Sequence, residues 1–187
     1  MKLATRLALT TTAVTAVAVG TFLGVTTGTA AATGSGSGSD GTAPRVPAAL
    51  KVPDGNRLTG VFAAEGVQTY TCTDGAWKSL EPAATLRAAH NGSHRPVALH
   101  TRGPAWVSTV DGSAVNATSV ASSPKDGAVA ELLLQATSTR GSGVFAGVSY
   151  VQRLDTEGGL APTTACTGSD QVSIPYSATY VFYKPSA

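Results

Sequence analysis

Short runs of β-branched and aromatic residues recur along the chain, cut at close intervals by Gly, Asp, Asn and Pro; helix-period stretches are nearly absent. The runs predict strands at 58–64, 66–72, 76–80, 95–101, 105–110, 114–121, 128–138, 143–154 and 172–183. Asp74-Gly75 and Asp111-Gly112 read as hairpin turns, because Asp and Gly accept the positive φ that tight turns demand. The one helical candidate is 81–89, with Pro82 in its first turn. Glu131-Leu132-Leu133-Leu134-Gln135 would close a single helical turn, but its neighbours read as strands. About nine strands at this spacing predict an all-β domain: a single antiparallel β-barrel or β-sandwich with at most one short helix. Alternation places Ile174, Tyr176, Ala178, Tyr180 and Phe182 on one side of the last strand, and Tyr150, Gln152 and Leu154 on one side of the strand before it. Aromatic faces of that size belong in a core.

The first fifty residues break this pattern. Lys2 and Arg6 precede an uncharged stretch from Leu7 to Gly28, and Ala30-Ala31-Ala32 supplies a small-x-small exit. Residues 1–32 therefore read as a signal peptide cut after Ala32, and the mature chain is expected to be secreted and extracellular, with no membrane attachment. A retained anchor is the competing reading; the Thr and Gly content of the stretch argues against it. Residues 33–50 read as a flexible linker: Gly34 to Ser39 offers no apolar side chain, and Pro44 and Pro47 stiffen the approach to the domain. Residues 51–187 remain as one β-rich domain.

Charge narrows the functions open to it. Charged residues are 13% of the chain, against a usual ~25%. Net charge is +2, and loss of Lys2 and Arg6 brings the mature chain to formal neutrality. No Lys/Arg cluster exists, so nucleic acid and anionic membranes are not expected partners. Cys72 and Cys166 are the two cysteines, and in an oxidising compartment they read as a disulfide.

The stretch from His100 to Ser113 is the densest in chemistry, with His100, Arg102, Trp106, Asp111 and Ser113 around a strand, turn and strand. An imidazole beside a carboxylate does general acid–base work, so His100 with Asp111 are candidate catalytic residues of a secreted hydrolase. The simpler assignments are Trp106 as core filler and Asp111-Gly112-Ser113 as a hairpin. No Gly-x-Ser-x-Gly elbow occurs, and Gly141-Ser142-Gly143 precedes a strand pattern rather than the helix of a dinucleotide site. No cofactor is expected. A zinc site at His90 and His94 would need a third ligand, which Asp111 or His100 could supply, but the two histidines flank the turn-like Asn91-Gly92-Ser93 and nothing in the spacing demands such a site, so no metal is expected. Asn91 and Asn116 stand in glycosylation acceptor triplets. Trp106, Tyr150, Gln152 and Arg153 are the candidate ligand-binding residues, because closed β architectures offer a mouth where a few polar groups converge.

Several blocks in order carry a family resemblance: Gly66 to Cys72 with Trp77; His100, Gly103-Pro104, Trp106 and Asp111-Gly112-Ser113; Leu132-Leu133-Leu134 with Ala136; Tyr150 to Arg153 with Gly158-Gly159 and Ala161-Pro162; and Pro175-Tyr176 through Tyr183. Over about 52–183 the chain resembles the domain-of-unknown-function 3455 family of secreted bacterial and fungal proteins. Glu131 stands where that pattern often has Trp. The resemblance implies secretion but no activity, cofactor or catalytic residue. The expected function is non-catalytic ligand binding, with a small-molecule or carbohydrate partner, or association with the cell envelope; the hydrolase is the alternative.

Overall fold

Alternating burial resolves into eight strands among the described residues: β1 (Asn56–Thr73), β2 (Ala76–Ala88), β3 (Pro96–Thr101), β4 (Ala105–Ser108), β5 (Ala114–Lys125), β6 (Ala128–Arg140), β7 (Tyr150–Gly158) and β8 (Gln171–Pro185). The structure, a computed structural model, describes residues 46–88 and 95–187. The expected signal peptide, residues 33–45 of the expected linker, and His90, Asn91 and His94 lie outside the described residues. Each strand pairs antiparallel with the next, and β8 returns to pair with β1 along Asn56–Thr71, so the sheet is a closed up-and-down barrel. Closure removes the unpaired edges that a short sheet would leave open.

Three elements differ from the sequence expectation. The strands expected at 58–64 and 66–72 are one, because Gly66 does not turn the chain. A Cβ there would overlap the Ala83 carbonyl oxygen, so this glycine serves close approach of β1 to β2. The helix expected at 81–89 is absent, and β2 runs through it; the only helical element among the described residues is a 3₁₀ turn at Ala48–Leu50. β3 pairs with β2 only from Ala84 to Arg87, so Pro82 lies where β2 is bordered by β1 alone and its missing N–H breaks no ladder on that side. The strand expected at 143–154 begins only at Tyr150. Gly143 has φ 131°, and a Cβ on it would overlap the Asp111 carboxylate, so the chain folds against the β4–β5 hairpin instead of extending.

The barrel interior is filled unevenly. Ala64, Ala84 and Ala98 line β1 to β3, whereas Trp106, Tyr176, Tyr180 and Phe182 enter from β4 and β8. Mixing small and large inward residues is how a narrow barrel fills its taper. Phe145 and Val148, from the segment between β6 and β7, are buried in the same cluster. Phe145 packs on Phe182 with ring centroids 4.8 Å apart, and Phe62 stands edge-on to both. A second cluster lies on the outer face, where Leu50 packs with Leu133, Leu154 and Val181 and is flanked by Val46 and Val52. Residues 46–50 of the expected linker are thus part of the packed unit. Cys72 and Cys166 form a disulfide with Cα atoms 5.7 Å apart, joining the end of β1 to the segment before β8.

Candidate functional site in the barrel mouth

Strand register decides which side chains can meet. His100 stands opposite Ala84 on one side and Trp106 on the other, and Trp106 stands opposite Val115, so all four share one layer facing inward. Arg153 is opposite Leu132 and Tyr180, which places it on the same inward side. Gln152 is opposite Leu133 and Val181, and Tyr150 opposite Gln135 and Tyr183, which places both on the outer side. A one-residue step in a strand changes face, and that step separates Gln152 from Arg153.

Because β2 extends beyond the end of β3, the barrel is open between 79–82 and 102–104. A cavity of about 340 Å³ lies there. Its rim includes Glu81, Pro82, Arg102 and Pro104, and its depth Gln68, His100, Trp106, Leu134, Arg153 and Tyr180. The Gly103-Pro104 peptide at the rim is cis. Arg102 donates to Glu81 at 3.1 Å, an exposed ion pair across the opening.

Within the cavity the His100 ring stacks on Trp106, centroids 4.5 Å apart and planes within 5°, and Tyr180 stands edge-on to both. His100 is 3% exposed, and its Nδ1 lies 2.9 Å from the Ala105 carbonyl oxygen. A carbonyl only accepts, so Nδ1 carries the proton and Nε2 is an acceptor. Burial pulls the imidazole down to about 4, so it is neutral at pH 7. Burial also raises the Tyr176 and Tyr180 phenols, which stay protonated. Arg153 donates through Nε and Nη2 to the Ala130 carbonyl oxygen, at 3.1 and 2.7 Å, where a register shift in β6 frees that group. It forms no ion pair among the described residues. Two buried donors in the cavity wall lack a partner within hydrogen-bond geometry among the described residues: Trp106 Nε1, and Gln68 Nε2, whose amide lies near the Tyr176 hydroxyl.

The other candidates go elsewhere. Asp111 makes no hydrogen bond or ion pair with His100. Its Oδ1 accepts from the Ser113 hydroxyl and backbone N–H, and its Oδ2 from the Val144 N–H. The Ser113 hydroxyl oxygen in turn accepts from the Phe145 N–H. These donors hold the Asp111 carboxyl well below the usual carboxylate range. The residues expected to do acid–base chemistry together are therefore divided between a cavity wall and a loop latch. Gln152 donates to the Leu50 carbonyl oxygen at 2.6 Å and accepts from the Tyr183 hydroxyl at 2.9 Å, tying the 46–52 segment to the outer wall. Glu131 is buried and accepts from the Asp155 N–H at 2.8 Å, capping the break in the β6–β7 ladder. Asn116 is exposed and donates to Ser138. Gln68, not among the sequence candidates, also lines the cavity; it shares parity with Ala64 and Gly66, and a polar residue at an inward position is its one sequence signal.

Among the described residues no group of three or more His, Cys, Asp or Glu could hold a metal ion, and no helix is long and apolar enough to cross a membrane. The family model described as a protein of unknown function, DUF3455, matches residues 53–184, so the chain belongs to the domain-of-unknown-function 3455 family. No curated protein and no solved structure matches it.

Proposed function

We propose that this member of the family is a secreted, non-catalytic binding protein that takes a small ligand into the mouth of its barrel. The carrying observation is the pair of unpartnered donors, Gln68 Nε2 and Trp106 Nε1, in the wall of one cavity. A buried donor left unpaired costs about 1–3 kcal/mol, which a ligand acceptor or a bound water would recover. A volume of about 340 Å³ falls at the small end of ligand pockets, roughly 300–1,000 Å³. The neutral, buried imidazole lacks the carboxylate partner that would support general base catalysis, so binding is favoured over hydrolysis.

Backbone and side-chain amide shifts, measured while a library of small organic compounds is titrated in, test the reading. Binding is expected to move resonances of Gln68, His100, Trp106, Arg153 and Tyr180. Absence of any binder at millimolar concentration, or shifts confined to the outer face around Tyr150 and Gln152, removes it. The disulfide and the leader pattern support secretion; recovery of a chain beginning at Thr33 from culture fluid is the expected result, and retention of residues 1–32 the contrary one.

A further inference from the structure

The chemistry of the cavity restricts what it can hold. Arg153 reaches it with a charge that no carboxylate among the described residues neutralises, and two of its donors go only to a neutral carbonyl. Arg153 lines the cavity and stands opposite Leu132 and Tyr180 in the strand register, which places its side chain on the inward face of the barrel. Gln68 Nε2 and Trp106 Nε1 add unpaired N–H donors. Glu81, the acidic residue on the cavity lining, is taken by Arg102 at the rim. A part-buried cation with donors beside it calls for an anionic acceptor. Among the described residues that line the cavity, Arg153 alone is an unneutralised cation, so a monoanion balances the site and a dianion overfills it. Leu80, Pro82, Leu132 and Leu134 supply an apolar wall for the rest of the ligand. The His100 ring covers one face of the Trp106 indole and the Tyr180 and Phe182 rings meet it edge-on, so the buried indole offers no open stacking surface and its polar contribution is the unpaired N–H.

We infer that the barrel mouth binds small organic carboxylates with an apolar body, the carboxylate meeting Arg153 and the Trp106 and Gln68 N–H groups, and the body lying against Leu132 and Leu134. This rests on the cavity being a binding site, and goes beyond it by naming the ligand class.

Calorimetric titration of the disulfide-intact protein with octanoate, octanamide and octyl phosphate tests it. These share the apolar chain and differ in head-group charge. Octanoate is expected to bind about tenfold or more tighter than octanamide, since hydrogen bonds to charged groups exceed neutral ones by that margin, and octyl phosphate no tighter than octanoate. Arg153→Met is expected to abolish the preference of octanoate over octanamide. The indole N–H resonances give a readout that needs no substitution: octanoate is expected to shift that of Trp106, and to leave that of Trp77, which already donates to the Thr164 carbonyl oxygen, in place. Octanamide or octyl phosphate binding more tightly than octanoate, or octanoate binding without moving the Trp106 resonance, overturns the ligand class while leaving the cavity a binding site. Failure of all three probes, with none found in a wider library, overturns both readings.

Discussion

An imidazole wedged between Trp106 and Tyr180, hydrogen-bonded to one carbonyl, is held neutral by its surroundings. His100 titrates at about 4 when folded, against an ordinary 6.5, so the unfolded chain binds the extra proton first as pH falls. Its contribution to stability is whole above pH 6.5 and is lost progressively as pH falls toward 4, by about 3 kcal/mol in all. Denaturant unfolding at pH 7 and pH 4.5 is expected to show this loss in the wild type, and His100→Asn is expected to flatten it. An equal slope in the variant would assign the pH dependence to other groups. At this scale the sequence showed residue type well and environment poorly. His100 was visible as a titratable group in a strand, but its separation from Asp111 was not, because adjacency in sequence is not adjacency across a barrel wall.

The segment between β6 and β7 shows how an element is positioned by groups far from it in sequence. Phe145 and Val148 enter the barrel core, and the Val144 and Phe145 N–H groups are received by Asp111 and Ser113 of the β4–β5 hairpin. Asp111→Ala is expected to loosen this segment, seen as faster hydrogen exchange at the Val144 and Phe145 amides with little change in β1 and β8. Uniform acceleration across all strands would mean that the latch is part of the global unfolding unit. Asp111 is also expected to contribute progressively less as pH falls below about 4, with the loss complete only below its lower folded value. The sequence pattern read this segment as strand because Val144, Phe145 and Val148 are strand formers; Gly141, Gly143 and Gly147, all at positive φ, outweighed them. The expected helix at 81–89 failed for a related reason: pairing of Ala83 and Thr85 to β1 overrode local propensity.

Across the whole molecule, one disulfide and one segment outside the barrel supplement closure. Cys72 and Cys166 are 94 residues apart, so their bridge shortens a long loop of the unfolded chain. Replacing both with Ser is expected to cost about 4–5 kcal/mol in the chain-entropy model, measured by denaturant unfolding of the variant against the oxidised wild type. A loss under about 1 kcal/mol would show that the unfolded chain is already compact there. On the outer wall, the 46–52 segment covers Leu133, Leu154 and Val181, anchored by Gln152. Alternation along β7 turns Gln152 to this wall although it adjoins Arg153.

Strand character, the turns at Asp74-Gly75 and Asp111-Gly112, the disulfide partners and the inward face of β8 all come from local pattern and residue chemistry, and each is legible without a structure. Which side chains share a cavity is set by register between strands that are distant in sequence, and register depends on bulges, glycine contacts and the return of β8 to β1. Hence His100, Trp106 and Arg153 meet while Gln152, Tyr150 and Asp111 do not, and Gln68 joins them from the opposite end of the barrel domain. The charge balance of the mouth, one unneutralised arginine beside two unpaired donors, exists only once the barrel has closed around it.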